Sequence, residues 1–364
     1  MAGSDVSDYN LCGINITSLS NNNRIINNNI RPGRDASNVF PGIGIYLSKS
    51  CYFSGNRLYN SSILISGEEL YHWVTHEIAT DNTANGRPIY YYKNQNGVQV
   101  PADAGTVILA NCSNMIISGL NITNITAGIL LGFSSNNTIQ NISISGNTYG
   151  ILLSWSCGNT ISENTASDNL YGVYLYRSLN NTVSGNKVIS NTENGIFLLS
   201  SYNNTLSHNN ISGSMKDGIK LVRFSSNNTI TFNTITKNAE YGVSIHDASY
   251  YNCIYLNNFI GNNNRSCQAF DSGRYNSWNL TLSQEGNYWN DWDGQDWGTA
   301  SAYPIDGGKG SDRNPADWYP LDKPVGNSGK NENSVFPASI FGVLVVLAGA
   351  IYALILREKE ARCC

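Results

Sequence analysis

Charged side chains are scarce in this 364-residue chain: Asp, Glu, Lys and Arg make up 13% of it, about half of the ~25% usual for soluble domains. Uncharged polar groups must meet the water instead, and Asn, Ser, Thr and Gly fill that role. Twenty-two basic against 26 acidic residues give a net charge of −4 and a pI near 5.6, which argues against a nucleic-acid binder. His (four) and Met (three) are rare and form no cluster. Cys12, Cys51, Cys112, Cys157, Cys253 and Cys267 show no CxxC pair and no metal spacing. Buried, small-hydrophobe roles suit most of them, and Cys253 with Cys267 is open to a disulfide in an oxidising compartment. Tyr (22), by contrast, far exceeds Phe (10), which favours surfaces where rings meet water or sugar.

Only one stretch is apolar throughout. Residues 334–356, SVFPASIFGVLVVLAGAIYALIL, carry no charge and as a helix would reach about 34 Å, enough for a ~30 Å hydrocarbon layer. Pro337 sits near the outer end, where a missing amide does least harm. Arg357, Lys359 and Arg362 follow and favour a cytoplasmic tail over 357–364, with Cys363 and Cys364 placed where lipidation is an open reading. Residues 323–333 read as a flexible linker. The expectation is an ectodomain over 1–322 on one C-terminal transmembrane helix. MAGSDVSDYN has neither a basic start nor an apolar run. An export signal is therefore expected upstream of Met1; the alternative is a tail-anchored protein facing the cytosol.

The ectodomain repeats. Gly128, Gly150, Gly172, Gly195, Gly218 and Gly242 each open a similar block, spaced 22, 22, 23, 23 and 24 residues apart. A period in the twenties means a solenoid. Two short β-rich pieces per block, such as GILL and NTI, alternate with Asn/Ser/Gly turns, and helical periodicity is absent. In 172–177, the period of two sends Val173 and Leu175 inward and Tyr174 and Tyr176 outward. The fold class is all-β, a right-handed parallel β-helix with coils stacked ~4.8 Å apart. Three asparagine ranks run up it: 137, 159, 181, 204, 228, 252; then 164, 186, 209, 233, 257; then 147, 169, 191, 238, 262, with Ser214 interrupting the last. At corners Asn tolerates left-handed backbone and bonds local groups, and stacked copies bond one another. The heptapeptide FSSNNTI, at 133–139 and 224–230, is thus one corner seen four coils apart. Residues 42–60 and 109–126 fit the same scheme. Residues 66–101 break it and are expected to protrude, with possible helix in EELYHWVTHEI.

Together the Asn-rich coils, the block HEIATDNTANGRPIYYYKNQNGVQVP followed by GTVILANCSN, and the closing GNYWNDWDGQDW…YPIDGG…DRNPADWYPL resemble the NosD-type β-helix proteins. The likeness covers nearly all of 10–322 and is greatest to surface-layer and envelope variants of methanogenic archaea. It implies an exported β-helix of the carbohydrate-binding and sugar-hydrolase type, ending in a cap over 284–322. The family's namesake is associated with copper-site maturation, a role that so few His and Met carry over poorly. Family members often close on an acidic calcium loop. Here DWDGQDWG keeps Asp291, Asp293 and Asp296 but lacks the later acids.

Several residues are candidates for chemistry. His72 and His76 are spaced i, i+4, but HWVTH lacks the zinc-protease glutamate, so an incidental pair is expected. Tyr174, Tyr176 and Phe197, with Trp155, Arg177, Lys220, Arg223, His246 and Asp247 on or beside the same sheet, would make an aromatic and basic stripe able to track a polymer. Ordinary surface dressing is the alternative. Glu193, Asp217 and Glu240 precede the Gly of consecutive coils, and stacking would bring them near the carboxyl separations that glycoside hydrolysis needs. Of thirteen Asn-x-Ser/Thr sequons, Asn136, Asn180, Asn203 and Asn227 stand beside ladder asparagines and are expected to point outward. The leading expectation is a membrane-anchored surface protein that binds glycans or neighbouring envelope proteins. A polysaccharide lyase or hydrolase is the second reading, and a copper accessory factor the third.

Overall fold

The computed structural model describes residues 1–9, 12–32, 40–246, 248–263, 267–280, 282–292, 302–307 and 315–326. The linker beyond 326, the apolar run 334–356 and the tail lie outside them. Among the described residues no helix is long and apolar enough to cross a membrane.

The protein is a parallel β-solenoid of the right-handed type. Each main coil contributes three strands to three sheets. The first, here the face sheet, includes Ala127–Gly132, Tyr149–Ser154, Tyr171–Tyr176, Ile196–Leu199, Ile219–Val222, Val243–Ile245 and Ala269–Asp271. Every pair is parallel and in register, so each side chain stacks on its counterpart one coil away. Ile129, Ile151, Val173, Ile196, Ile219 and Val243 form one inward rank and are buried. Deleting a side chain from such a rank leaves a cavity that neighbours in fixed register cannot fill.

The polar interior is ordered by ladders. Each Asn Oδ1 accepts both the backbone N–H and the Nδ2–H of the Asn one coil earlier. Asn159 gives Asn181 bonds of 2.9 and 3.0 Å and also donates Nδ2 to the Ser134 carbonyl at 2.9 Å. All three ranks behave in this way, including Asn164 to Asn186 and Asn147 to Asn169. Where Ser214 interrupts the third rank, its backbone N–H still donates to Asn238 Oδ1 at 3.0 Å.

One detail departs from expectation: the ladder asparagines are not the left-handed residues. That conformation falls on the residue before each. Asn136, Asn180, Asn203 and Asn227 have φ of 55–57°, and at other corners Glu163, Asp168 and Gly185 take the same role. The turn is made by one residue and its polar groups are satisfied by the next. A fourth ladder follows the same rule with serine. Ser134, Ser156, Ser178, Ser201 and Ser225 stack by backbone N–H to Oγ bonds of 3.1–3.2 Å, each after a left-handed residue that includes Phe133, Trp155 and Arg177.

Residues before 85 form a separate short stack with its own ladder, Asn28 to Asn56 to Asn82. Asn85 and Gly86, both with positive φ, turn Thr83–Ala84 into the antiparallel strand Arg87–Lys93, as the Asn-Gly pair favours. The chain then starts the main stack. The two stacks touch again at Ser62, whose N–H donates to Thr126 Oγ1 at 3.1 Å and whose Oγ accepts from the Ala127 N–H at 3.3 Å.

The segment 66–101 is not one excursion. Glu77–Ile78 and Thr83–Ala84 are solenoid strands, and only 67–76 protrudes. The expected longer helix is a single turn, Tyr71–Val74. Trp73 is fully buried against Gly132, where a Cβ would fall 2.0 Å from the indole. Its Nε1 donates to the Gly67 carbonyl at 3.0 Å, and Tyr91 Oη donates to its own carbonyl.

At the far end Phe259, Trp289 and Tyr303 stack at 4.1 and 4.0 Å to close the core. Each of the three main asparagine ladders ends on a carboxylate. Asn276 Nδ2 donates to Asp271 at 2.9 Å, Asn287 N–H to Asp317 at 2.6 Å, and Gln268 Nε2 to Asp291 at 2.6 Å. A carboxylate accepts and does not donate, which suits a chain of amides that all point their donors one way. Cys253 and Cys267 are free thiols in this structure rather than a disulfide. Cys253 lies on a strand of the second sheet, whereas Cys267 immediately precedes the face-sheet strand Ala269–Asp271.

Candidate functional site

The outward rank of the face sheet reads Leu130, Leu152, Tyr174, Phe197, Lys220, Ser244, Phe270. Its middle is aromatic. Tyr149 and Tyr171 stack at 5.7 Å, Tyr171 and Phe197 at 5.4 Å, and Tyr174 packs tilted on all three at 4.9–5.5 Å. The tier is half-buried. The sequence reading placed Tyr174 and Phe197 correctly on this face but missed Tyr149 and Tyr171. A Tyr directly before the coil-opening Gly was the available signal. The faces of Tyr149, Tyr171 and Phe197 lie against one another, so the tier turns ring edges rather than open faces outward. Burial raises the Tyr149 phenol to about 12, and it raises Tyr171 and Tyr174 as well. These tyrosines stay protonated and can both donate and accept.

A second aromatic column stands on the adjoining corner. Phe133 stacks on Trp155 at 5.8 Å, and Trp73 meets Phe133 edge-on at 6.5 Å. The Arg177 guanidinium lies 4.6 Å from the Trp155 ring and 5.4 Å from Tyr176, and it reaches Glu68 of the protruding segment at 3.6 Å. This column joins the protrusion to the solenoid. Farther along, His246 stacks on Phe270 at 4.6 Å, with Tyr241 tilted beside the same ring. Arg223 is exposed and close enough to Tyr174 to influence its phenol. Asp247 lies outside the described residues.

The three carboxylates do not form one rank. Backbone bonds align Glu193 with Lys216 and then Glu240, and Lys216 Nζ pairs with Glu193 at 2.5 Å. Asp217 belongs to the neighbouring rank of Asn194 and Tyr241. It is fully buried and accepts from the Tyr241 N–H at 3.0 Å and from Lys220 Nζ at 2.9 Å. Asp217 stands one residue before its coil-opening Gly, whereas Glu193 and Glu240 stand two before theirs. Glu193 and Glu240 are two coils apart, roughly 10 Å at ~4.8 Å per coil, with a lysine between them. That is well beyond the retaining separation and at the upper end of the inverting one.

Of the histidines, His76 has both ring nitrogens engaged by the fold. His76 Nδ1 accepts from the Cys51 N–H at 3.2 Å and Nε2 donates to the His72 carbonyl at 2.9 Å. Burial lowers it to about 4. His72 Nδ1 accepts from the Glu69 N–H at 3.3 Å, and His208 stacks on Phe232. Met115 is in the core and Met215 is exposed. No group of three metal-ligating side chains occurs among the described residues. This donor set does not fit copper. Of the proposed calcium ligands, Asp293 and Asp296 lie outside the described residues. Asp291 spends both oxygens on Gln268 and Tyr303, at 2.6 and 3.1 Å.

Asn136, Asn180, Asn203 and Asn227 are all exposed, on the corner leading into the second sheet.

No curated protein is significantly similar to the chain. Among solved structures it is similar to the periplasmic alginate epimerase AlgG, at 16% identity and a TM-score of 0.39, covering 67% of this chain and 61% of that one. The chain therefore spans less than two thirds of that epimerase. It is also similar to the tailspike protein of E. coli bacteriophage HK620 in complex with a pentasaccharide, at 12% identity and a TM-score of 0.31, covering 77% and 48%. A third likeness is to the A-module of the Azotobacter vinelandii mannuronan C-5 epimerase AlgE6, at 13% identity and a TM-score of 0.28, covering 76% of each. Residues 80–294 match the family described as periplasmic copper-binding protein (NosD). That match takes in more than half of the chain, from the hairpin at Asn85 to the closing aromatic stack, and the chain belongs to the NosD family.

Proposed function

We propose that this chain is an envelope β-solenoid that holds a polysaccharide on its face sheet and does not cleave it. The carrying observation is the tier of Tyr149, Tyr171, Tyr174 and Phe197, four half-buried rings on three successive coils. An apolar ridge fringed with hydroxyls suits the mixed surface of a sugar chain, and a solenoid repeats it at the coil rise of ~4.8 Å. Trp155, Tyr176, Arg177, Lys220, Arg223 and His246 flank the ridge. The domain stands outside the cell, with 334–356 as its membrane anchor, and neighbouring envelope proteins are its other contacts. Asn136, Asn180, Asn203 and Asn227 are open to glycosylation without obstructing the face sheet.

The test is a panel of immobilised polysaccharides and the full chain in detergent micelles. The reading expects retention on at least one polysaccharide, with no shortening of the polymer, and a loss of roughly tenfold or more on combining Tyr174→Ala with Phe197→Ala, since tenfold corresponds to ~1.4 kcal/mol. Failure to bind any polysaccharide, or release of shortened chains, would overturn it.

A further inference from the structure

We propose, resting on that reading, that the face sheet takes an uncharged polysaccharide and discriminates against uronate and other anionic chains. Four cations lie on or beside the sheet: Arg177, Lys216, Lys220 and Arg223. Three already hold a carboxylate. Lys216 pairs with Glu193 at 2.5 Å, Lys220 with Asp217 at 2.9 Å and Arg177 with Glu68 at 3.6 Å. Arg177 is further engaged over the Trp155 and Tyr176 rings. Among the described residues, Arg223 alone of the four stands exposed without a carboxylate. Glu240 follows Lys216 one coil on, and Asp306 accepts from Tyr241 Oη at 3.3 Å. Among the described residues four cations thus face five carboxylates, which gives no net positive potential to draw in a polyanion. To use Lys220, a uronate would have to displace Asp217, which is fully buried, and would leave that carboxylate uncompensated.

The groups left free are uncharged. The phenol hydroxyls of Tyr149, Tyr171, Tyr174 and Tyr176 have no hydrogen-bond partner among the described residues, and none is a sealed-off buried atom. Each can donate one bond and accept another, as a sugar hydroxyl does. All four lie on two neighbouring coils, Tyr171, Tyr174 and Tyr176 on one strand and Tyr149 on the preceding one. Recognition through neutral hydroxyls in a charge-balanced frame excludes unpaired anions by leaving them without a counter-charge.

The experiment uses the full chain in detergent micelles and titration calorimetry. The probes are neutral hexasaccharides built on glucose, mannose or galactose, and hexasaccharides of galacturonate and mannuronate, each at low and high sodium chloride. The expected result is binding of at least one neutral hexasaccharide with an affinity that changes by less than about twofold with salt, because no counter-ions are exchanged. Uronate hexasaccharides should bind about tenfold more weakly or not at all. Replacing Tyr174 and Tyr176 together by Phe, which keeps the rings and removes only the hydroxyls, should weaken neutral binding by roughly tenfold, the equivalent of two lost hydrogen bonds. Uronate binding as tight as neutral binding, weakened by salt, would overturn the proposal while leaving glycan binding intact. Binding of neither class by the folded chain would remove the glycan reading itself, and this proposal with it.

Discussion

Asn180 and Asn181 are sequence neighbours with opposite duties. Asn180 is exposed at φ 55° and turns the chain. Asn181 is buried and gives its Oδ1 to both donors of Asn159. Replacing Asn181 by Ala removes that acceptor from two buried N–H groups, and a cost of about 3 kcal/mol follows from 1–3 kcal/mol per orphaned group. Asn180→Ala should cost only about 1 kcal/mol, the left-handed penalty of a Cβ without a local polar side chain, and Asn180→Gly should be neutral or slightly stabilising. Urea midpoints of the three variants check this; equal losses at 180 and 181 would show that the two positions are not divided in this way.

The protruding segment and the C-terminal cap respond to pH in opposite senses. His76 has a folded value of about 4, below its ordinary 6.5. Its stabilisation is complete above pH 6.5 and is lost as pH falls towards 4, by up to about 3 kcal/mol. Asp317 is raised by burial to about 6 from 3.8, so its contribution is complete below pH 3.8 and is lost as pH rises through 6, again by roughly 3 kcal/mol. Lowering the pH from 7 to 5 should lower the hydrogen-exchange protection factors, corrected for the intrinsic rate at each pH, around 51–77 and raise them around 287–289 and 317–319. Identical responses at both places would contradict the assignment. The segment's seat is equally specific. Gly132→Ala drives a Cβ into the Trp73 ring and should expose 67–76 to proteolysis at a cost of about 1–3 kcal/mol, with the coils from 149 onward unaffected. Once Trp73→Ala is present, Gly132→Ala should add little, since the two act on one contact.

Across the whole molecule, each coil touches mainly its neighbours, so most of the architecture was readable as a period. The Gly spacing gave the coil length, alternation separated Val173 and Leu175 from Tyr174 and Tyr176, and the Asn ranks predicted the ladders. The serine ladder was equally periodic, three residues ahead of each ladder Asn, but serine is too common a turn residue to stand out. What had no period was not legible. The docking of Trp73 on Gly132, the tie of Glu68 to Arg177 and the contact of Ser62 with Thr126 join distant coils by single pairs. The one-residue offset that separates Asp217 from Glu193 and Glu240 is different: aligned on Gly, Asp217 stands one residue before it and the glutamates two, so it was legible and went unread. The edge-outward packing of Tyr149, Tyr171 and Phe197 depends on side-chain angles that spacing does not encode.

The central claim is that sugar meets the protein on the face sheet. Oxidative footprinting of aromatic side chains, with and without the polysaccharide retained in the panel, tests it most directly. The account predicts protection at Tyr149, Tyr171, Tyr174, Tyr176 and Phe197, and none at the exposed, stacked pair Tyr251 and Tyr275. Protection confined to Tyr251 and Tyr275, with the face-sheet tyrosines labelled equally in both states, would contradict it.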